Sequence, residues 1–140
     1  MVVQAKAELP NECCGLLAGF VRPPEQVHTA PEEWNDRPIG VVTCRYPLVN
    51  NAASAREYLA NDRVLFNVFR DMRERGLDLL AVYHSHPVTD PVPSKTDLER
   101  NYFEEIMHLI ISLKREPPVV RGWCLGEKEY REGEWGTSEP

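Results

Sequence analysis

His84, His86 and Asp97 fall within fourteen residues of one another, in the run His84-Ser85-His86-Pro87 followed by Ser94-Lys95-Thr96-Asp97. Two imidazoles and a carboxylate are enough to hold a divalent metal ion. In a tetrahedral zinc site they leave one position open, the feature that separates catalytic from closed structural sites. Water in such a position is acidified toward neutral pH and becomes a nucleophile for a carbonyl, provided a nearby base accepts its proton. The same donors form the facial triad of non-haem iron proteins, so the ligand set by itself leaves both metals open.

Three elements must bring these side chains together. Leu77 to Tyr83 is a nearly unbroken apolar run that ends at His84, which reads as a buried strand from Leu77 to His86. Alternation along a strand puts His84 and His86 on one face and Ser85 on the other. Pro87, Pro91 and Pro93 deny the dihedrals and donors that a strand or helix needs, so the chain turns back. Leu98, Tyr102 and Ile106 then recur at helical spacing, predicting a helix from Leu98 to Met107 with Asp97 in its first turn. Ser94-x-x-Asp97 is also a capping box, and taken alone this explains both residues without a metal. The two roles are compatible, because a cap fixes the direction of the ligand beside it.

Elsewhere the elements alternate in the manner of an α/β chain. Val2 to Glu8 reads as the last turns of a helix cut short by Pro10, and Cys13 to Phe20, Val41 to Val49, His108 to Leu113 and Val119 to Leu125 read as strands. Val64, Val68 and Met72, with Leu65 and Phe69 beside them, form an apolar stripe from about Asp62 to Arg75, and Gly76 suits a left-handed cap. Phe66, Phe69, Tyr102 and Phe103 are assigned to the core. Arg22 to Pro38, with four prolines, reads as a loop or hairpin tip and as the most mobile segment. His28 in that loop and His108 at a strand start read as ordinary surface or satisfied histidines.

At 140 residues and 42% apolar composition, the chain reads as one domain over residues 1–140, able to bury a core without staples. No apolar run is long enough to span a bilayer and no basic, apolar leader opens the sequence, which points to the cytoplasm. Cys13 and Cys14 would face opposite sides of a strand, and Cys44 and Cys124 are isolated. All four are taken as reduced small hydrophobes rather than a disulfide framework. A formal charge of −6 argues against general affinity for nucleic acid and mainly favours solubility.

Together with the upstream segment from Leu9 to Gly19 (LPNECCGLLAG), the pattern HSHPxxxPxPSxxD resembles the JAB1/MPN/Mov34 (JAMM) zinc metallopeptidase family, in the form of a small prokaryotic-type member. The ten residues between His86 and Asp97 match the family spacing. The resemblance implies a mixed central β-sheet flanked by helices, the MPN/JAMM (cytidine-deaminase-like) domain. It implies one Zn2+ per chain on His84, His86 and Asp97, with Glu12 as general base and Ser94 donating a hydrogen bond to the tetrahedral oxyanion. A glutamate such as Glu12, taken singly, is usually just solvated; its co-occurrence with the other four residues favours an enzyme.

The resemblance further implies hydrolysis of a peptide or isopeptide bond after the C-terminal Gly-Gly of ubiquitin or a ubiquitin-like protein. The chain lacks the large insertions of eukaryotic deubiquitinases, so a sulfur-carrier protein is the favoured substrate. Its extended tail would add to an exposed strand edge, with Arg22 to Pro38 as a gripping element. The family places a strand and a complete helix before the Glu12 block, whereas Met1 begins where that helix should be half finished. An absent strand would leave a sheet edge that a second copy could cover, giving a homodimer.

Three rival readings are weaker. A non-catalytic scaffold would normally have lost a ligand or the glutamate, and neither is lost. Non-haem iron enzymes need no glutamate base and order their ligands differently. A DNA-repair-associated relative shares the HSHP block but suits the negative charge poorly.

Overall fold

A computed structural model describes residues 1–50, 61–101, 103 and 105–138. Apolar strand runs organise it into one mixed sheet of six strands in the order β2-β1-β3-β4-β5-β6. The strands are β1 (Cys14–Arg22), β2 (Ile39–Leu48), β3 (Asp78–His86), β4 (Met107–Ser112), β5 (Val119–Leu125) and β6 (Tyr130–Gly133). Only β3 and β4 run parallel; every other neighbouring pair is antiparallel.

Both faces of the central strands are covered, which is why β1 and β3 lack a polar side. On one face Ala5 of helix α1 (Val2–Ala7) packs with Cys13, Leu17, Ala81, Tyr83, Leu109 and Ile111. On the other, helix α2 (Asp62–Glu74) lays Leu65, Val68, Phe69 and Met72 over Cys14, Leu16, Ala18, Leu48 and Val82. The mixed sheet flanked by helices is therefore as expected, and Cys13 and Cys14 do separate to opposite faces. All four cysteines are free thiols. Among the described residues, no helix is long and apolar enough to cross a membrane.

Local chemistry sets the ends of α2. The Asn61 side chain accepts from the backbone N–H groups of Arg63 and Val64. At the other end Gly76 adopts a left-handed φ of 66°, Gly76 N donates to Arg73 O at 3.2 Å, and Leu77 N donates to Met72 O at 2.8 Å. This is a Schellman closure, and it turns the chain directly into β3. Gly15 has a different reason to be glycine: a Cβ there would lie 2.2 Å from the Tyr83 ring. The open space lets the Tyr83 hydroxyl donate to Gln4 Oε1 at 2.6 Å, tying α1 to the sheet.

Several sequence expectations need correction. Phe66 is 65% exposed and Val64 is 41% exposed, because at 100° per residue each lies off the stripe centred on Leu65, Val68, Phe69 and Met72. The helix read from Leu98 to Met107 is instead the short α3 (Lys95–Glu99). Asn101 ends that segment by taking the Phe103 N–H on its side-chain oxygen and donating to Leu125 O, a local bond that competes with helix continuation. Phe103 and Ile106 still pack against the α2 face, so the apolar spacing reflected burial rather than helix. Tyr102, assigned above to the core, lies outside the described residues. Strand β6 escaped prediction because Tyr-Arg-Glu-Gly carries no apolar alternation; it joins through the turn in which Gly126 N donates to Glu129 O.

Candidate metal centre

β3 delivers its last residues between β1 and β4, with Cys14 opposite His84, Ile110 beside His84 and Ser112 beside His86. The strand alternation places both imidazoles on the α2 face, His84 fully buried and His86 at 4% exposure. Ser85 points the other way, as expected, and is used there. Its N–H donates to Cys13 O at 3.0 Å, and its Oγ accepts from Cys13 N at 2.8 Å.

Beyond His86 the chain passes over β4 and β5, held at three successive residues. Ser112 Oγ donates to Thr89 O, Lys114 pairs with Asp90 at 3.2 Å, and the Trp123 indole N–H donates to Pro91 O at 2.8 Å. His86 Nδ1 lies 2.8 Å from Asp90 O. A carbonyl only accepts, so Nδ1 carries the proton and Nε2 turns its lone pair inward, the orientation a metal ligand needs.

The returning segment opens α3 with a complete capping box. Asp97 N donates to Ser94 Oγ at 3.1 Å, and Ser94 N donates to Asp97 Oδ2 at 2.8 Å. That reciprocal bond aims the carboxylate across both histidines, with Oδ1 3.1 Å from His84 Nε2 and Oδ2 3.2 Å from His86 Nε2. The two Nε2 atoms are themselves 3.1 Å apart. One ligand atom from each of the three residues lies within 4.8 Å of the others, and two imidazoles with a carboxylate are donors that suit a divalent cation. The three side chains can thus hold a metal ion.

Electrostatics agree with that use. Burial pushes the Asp97 carboxyl up, but its contacts with the His84 and His86 rings outweigh it and hold the group below the usual carboxylate range. Burial likewise pushes His86 down, while Asp97, the Asp90 carbonyl and the charge of Glu12 together raise it. The pocket therefore concentrates negative potential on the imidazoles, which favours a cation.

Glu12 is not the solvated residue that a lone glutamate would suggest: it is 2% exposed, one residue before the Cys13–Ser85 pair. Sequence reasoning therefore located five residues that the fold collects at one end of the sheet. Three form the tight donor cluster, Ser94 touches it through Asp97, and Glu12 acts on His86 through its charge.

The segment from Arg22 to Pro38 does not join them. Because β1 and β3 are antiparallel, Cys14 lies beside His84 while Arg22 pairs with Ile39 at the far end of the hairpin. Eight residues of strand put roughly 26 Å between those ends, so this loop lies far from the His84, His86 and Asp97 cluster. The connection that does open there follows Leu48, opposite Cys14, and residues 51–60 of it lie outside the described residues. His28 is exposed in the distant loop. His108 is buried 3.1 Å from Asn101 Oδ1, and burial, with the nearby His84, pushes it down to about 4, so it stays neutral.

Missed by sequence reasoning were the Asp90 carbonyl that orients His86, Trp123 that anchors the adjoining peptide, and Asn50, whose side chain reaches Glu12. None carried a local signal, since each acts through the pairing of distant elements.

Comparison with known proteins gives the family. Residues 1–125 match the family of prokaryotic homologs of the JAB domain. A desampylase of Haloferax volcanii is 33% identical over 109 residues, covering 77% of this chain and 67% of that protein. A CysO-cysteine peptidase of Mycobacterium tuberculosis is 29% identical over 117 residues, covering 84% of this chain and 68% of that protein. The solution structure of a protein from Desulfitobacterium hafniense, 31% identical, superposes with a TM-score of 0.75 over 96% of this chain and 83% of its own. A JAB1/MPN domain protein from Archaeoglobus fulgidus, 18% identical, shares the fold with a TM-score of 0.51 over 95% of this chain and 85% of its own. A mixed sheet with His84, His86 and Asp97 gathered at the end of its interior strand β3 and a match over residues 1–125 make this chain a member of the prokaryotic JAB (JAB1/MPN) domain family.

Proposed function

We propose that the chain is a zinc-dependent peptidase that cleaves the peptide or isopeptide bond after the C-terminal Gly-Gly of a ubiquitin-like or sulfur-carrier protein. The observation that carries this reading is the convergence of His84, His86 and Asp97 within 4.8 Å of one another, beside a buried Glu12. The relatives named desampylase, CysO-cysteine peptidase and, over a 42-residue stretch, a probable TtuB-protein conjugate cleaving protease of Thermus thermophilus support the substrate class.

His84 and His86 would hold the ion through Nε2, and Asp97 through its carboxylate. When bound, the ion supplies Lewis acidity to a water and to the scissile carbonyl. Glu12 takes the proton of the attacking water and returns it to the leaving amine; its burial keeps the carboxylate out of bulk solvent. Ser94 spends an oxygen lone pair on the Asp97 N–H and keeps its hydroxyl proton to donate to the developing oxyanion. The Asp90 carbonyl keeps the His86 tautomer constant throughout. Iron would use the same three donors, and the glutamate favours zinc.

Metal analysis of untagged protein should find one zinc per chain, and a fusion of a sulfur-carrier protein to a reporter through Gly-Gly should be cut after the second glycine. Glu12→Gln should retain zinc and lose about 10²–10⁴ in rate, the range of a lost general base. Protein that binds iron in preference, or a Glu12→Gln variant with full turnover, overturns the proposal.

A further inference from the structure

One peptide plane at the site is held at both of its polar ends by side chains from other segments. The Glu12–Cys13 peptide presents its C=O to Asn50 Nδ2 at 3.0 Å and its N–H to Ser85 Oγ at 2.8 Å. Asn50 lies two residues past the end of β2 and Ser85 lies within β3, so segments on either side of β1 grip the same amide. Both side chains are buried, Asn50 at 9% exposure and Ser85 at 0%. The ladder itself would have used main chain here: Ser85 N donates to Cys13 O at 3.0 Å, yet the return bond from Cys13 N goes to the serine hydroxyl. A side chain thus replaces a backbone partner at the residue following Glu12.

We infer that Asn50 and Ser85 are positioning residues for Glu12. This rests on the base role proposed above for that residue. The plane of a peptide fixes ψ of the residue before it, and ψ of Glu12 sets where its Cα–Cβ bond points. A base must stand within about 3 Å of the proton it takes, and misplacement by about 1 Å at such a site can cost on the order of 10²-fold in rate. Neither Asn50 nor Ser85 needs to touch substrate or metal; the two make Glu12 rigid at a point where β1 has not yet begun. Ser85 has a second consequence. It sits between the two histidines, so the strand that carries the ligands also sets the register of the base opposite them.

Asn50→Ala and Ser85→Ala should each lower kcat by about 10-fold or more while KM and zinc affinity stay within about twofold. In a Glu12→Gln background the same substitutions should cost nothing further, because residues that act as a unit are non-additive. A readout free of activity and metal comes from amide hydrogen exchange. Ser85→Ala should speed exchange at Cys13 N–H, with the amides of β4 and β5 unchanged. If Asn50→Ala slows the Glu12→Gln enzyme by as much as it slows the parent, or if Ser85→Ala leaves the Cys13 amide protected, the inference is overturned. A parent protein that binds zinc but cleaves no Gly-Gly fusion overturns the proposed function instead. If Ser85→Ala fails to fold, the Asn50→Ala cycle decides alone.

Discussion

The two ends of β1 treat polar side chains in opposite ways. At the Cys14 end, Glu12, Asn50, His84, Ser85, His86, Asp97 and Ser112 are all buried, and bonds such as Ser85 to Cys13, Ser94 to Asp97 and Ser112 to Thr89 tie separate segments together. At the Arg22 end, Arg37 pairs with Glu134 at 3.0 Å and with Asp36 at 3.4 Å, all of these side chains more than half exposed. Exposed pairs gain little over their solvation and are screened by salt. Buried ones are expensive to leave unmade, so each bond constrains geometry as well as energy. The fold therefore has a precise end and a tolerant end, and the candidate metal centre lies at the precise one.

His84→Ala and Asp97→Ala should break the contrast most severely. Each removes one of the three proposed ligands, and zinc affinity should fall by more than the roughly 100-fold upper end seen for outer partners of a metal site. Retention of one zinc per chain in either variant would mean that the ion sits elsewhere. Ser94→Ala should slow turnover on the order of a hundredfold through the lost oxyanion donor and lower stability by about 1 kcal/mol through the lost cap. Unchanged turnover with a lowered melting temperature would leave Ser94 a cap alone. Trp123→Phe keeps an aromatic side chain but trims the indole and removes the N–H that holds Pro91 O. It should weaken zinc by about 10-fold through the Asp90–His86 contact, read by competition with a chelating dye. At the tolerant end, Arg37→Ala should change stability by less than about 0.5 kcal/mol and leave zinc and turnover alone; a larger loss would erase the distinction between the two ends.

How far each end was legible beforehand follows the same division. The donor cluster and its facing were readable because they depend on a strand period and a proline-rich turn, both local. The Ser94 cap was readable for the same reason. The helix read from Leu98 to Met107 was not, since its apolar spacing came from burial against α2 while Asn101 diverted the backbone through contacts to Leu125 and His108. Phe66 misled because hydrophobicity does not say which side of a helix meets the sheet. The loop from Arg22 to Pro38 was expected to grip a substrate, and its distance from the cluster was not legible, since only the antiparallel direction of β1 shows that it lies away from His84.

The chain alone therefore determined the donor set, the glutamate, the cap and the alternation that makes an α/β sheet, because each is written in residue type and short spacing. Only the tertiary structure decided which end of β1 faces the histidines, which carbonyl sets the His86 tautomer, and which two side chains grip the Glu12–Cys13 peptide. Those choices depend on pairing between segments up to 72 residues apart, and no local pattern encodes a partner whose position is set by strand order and register.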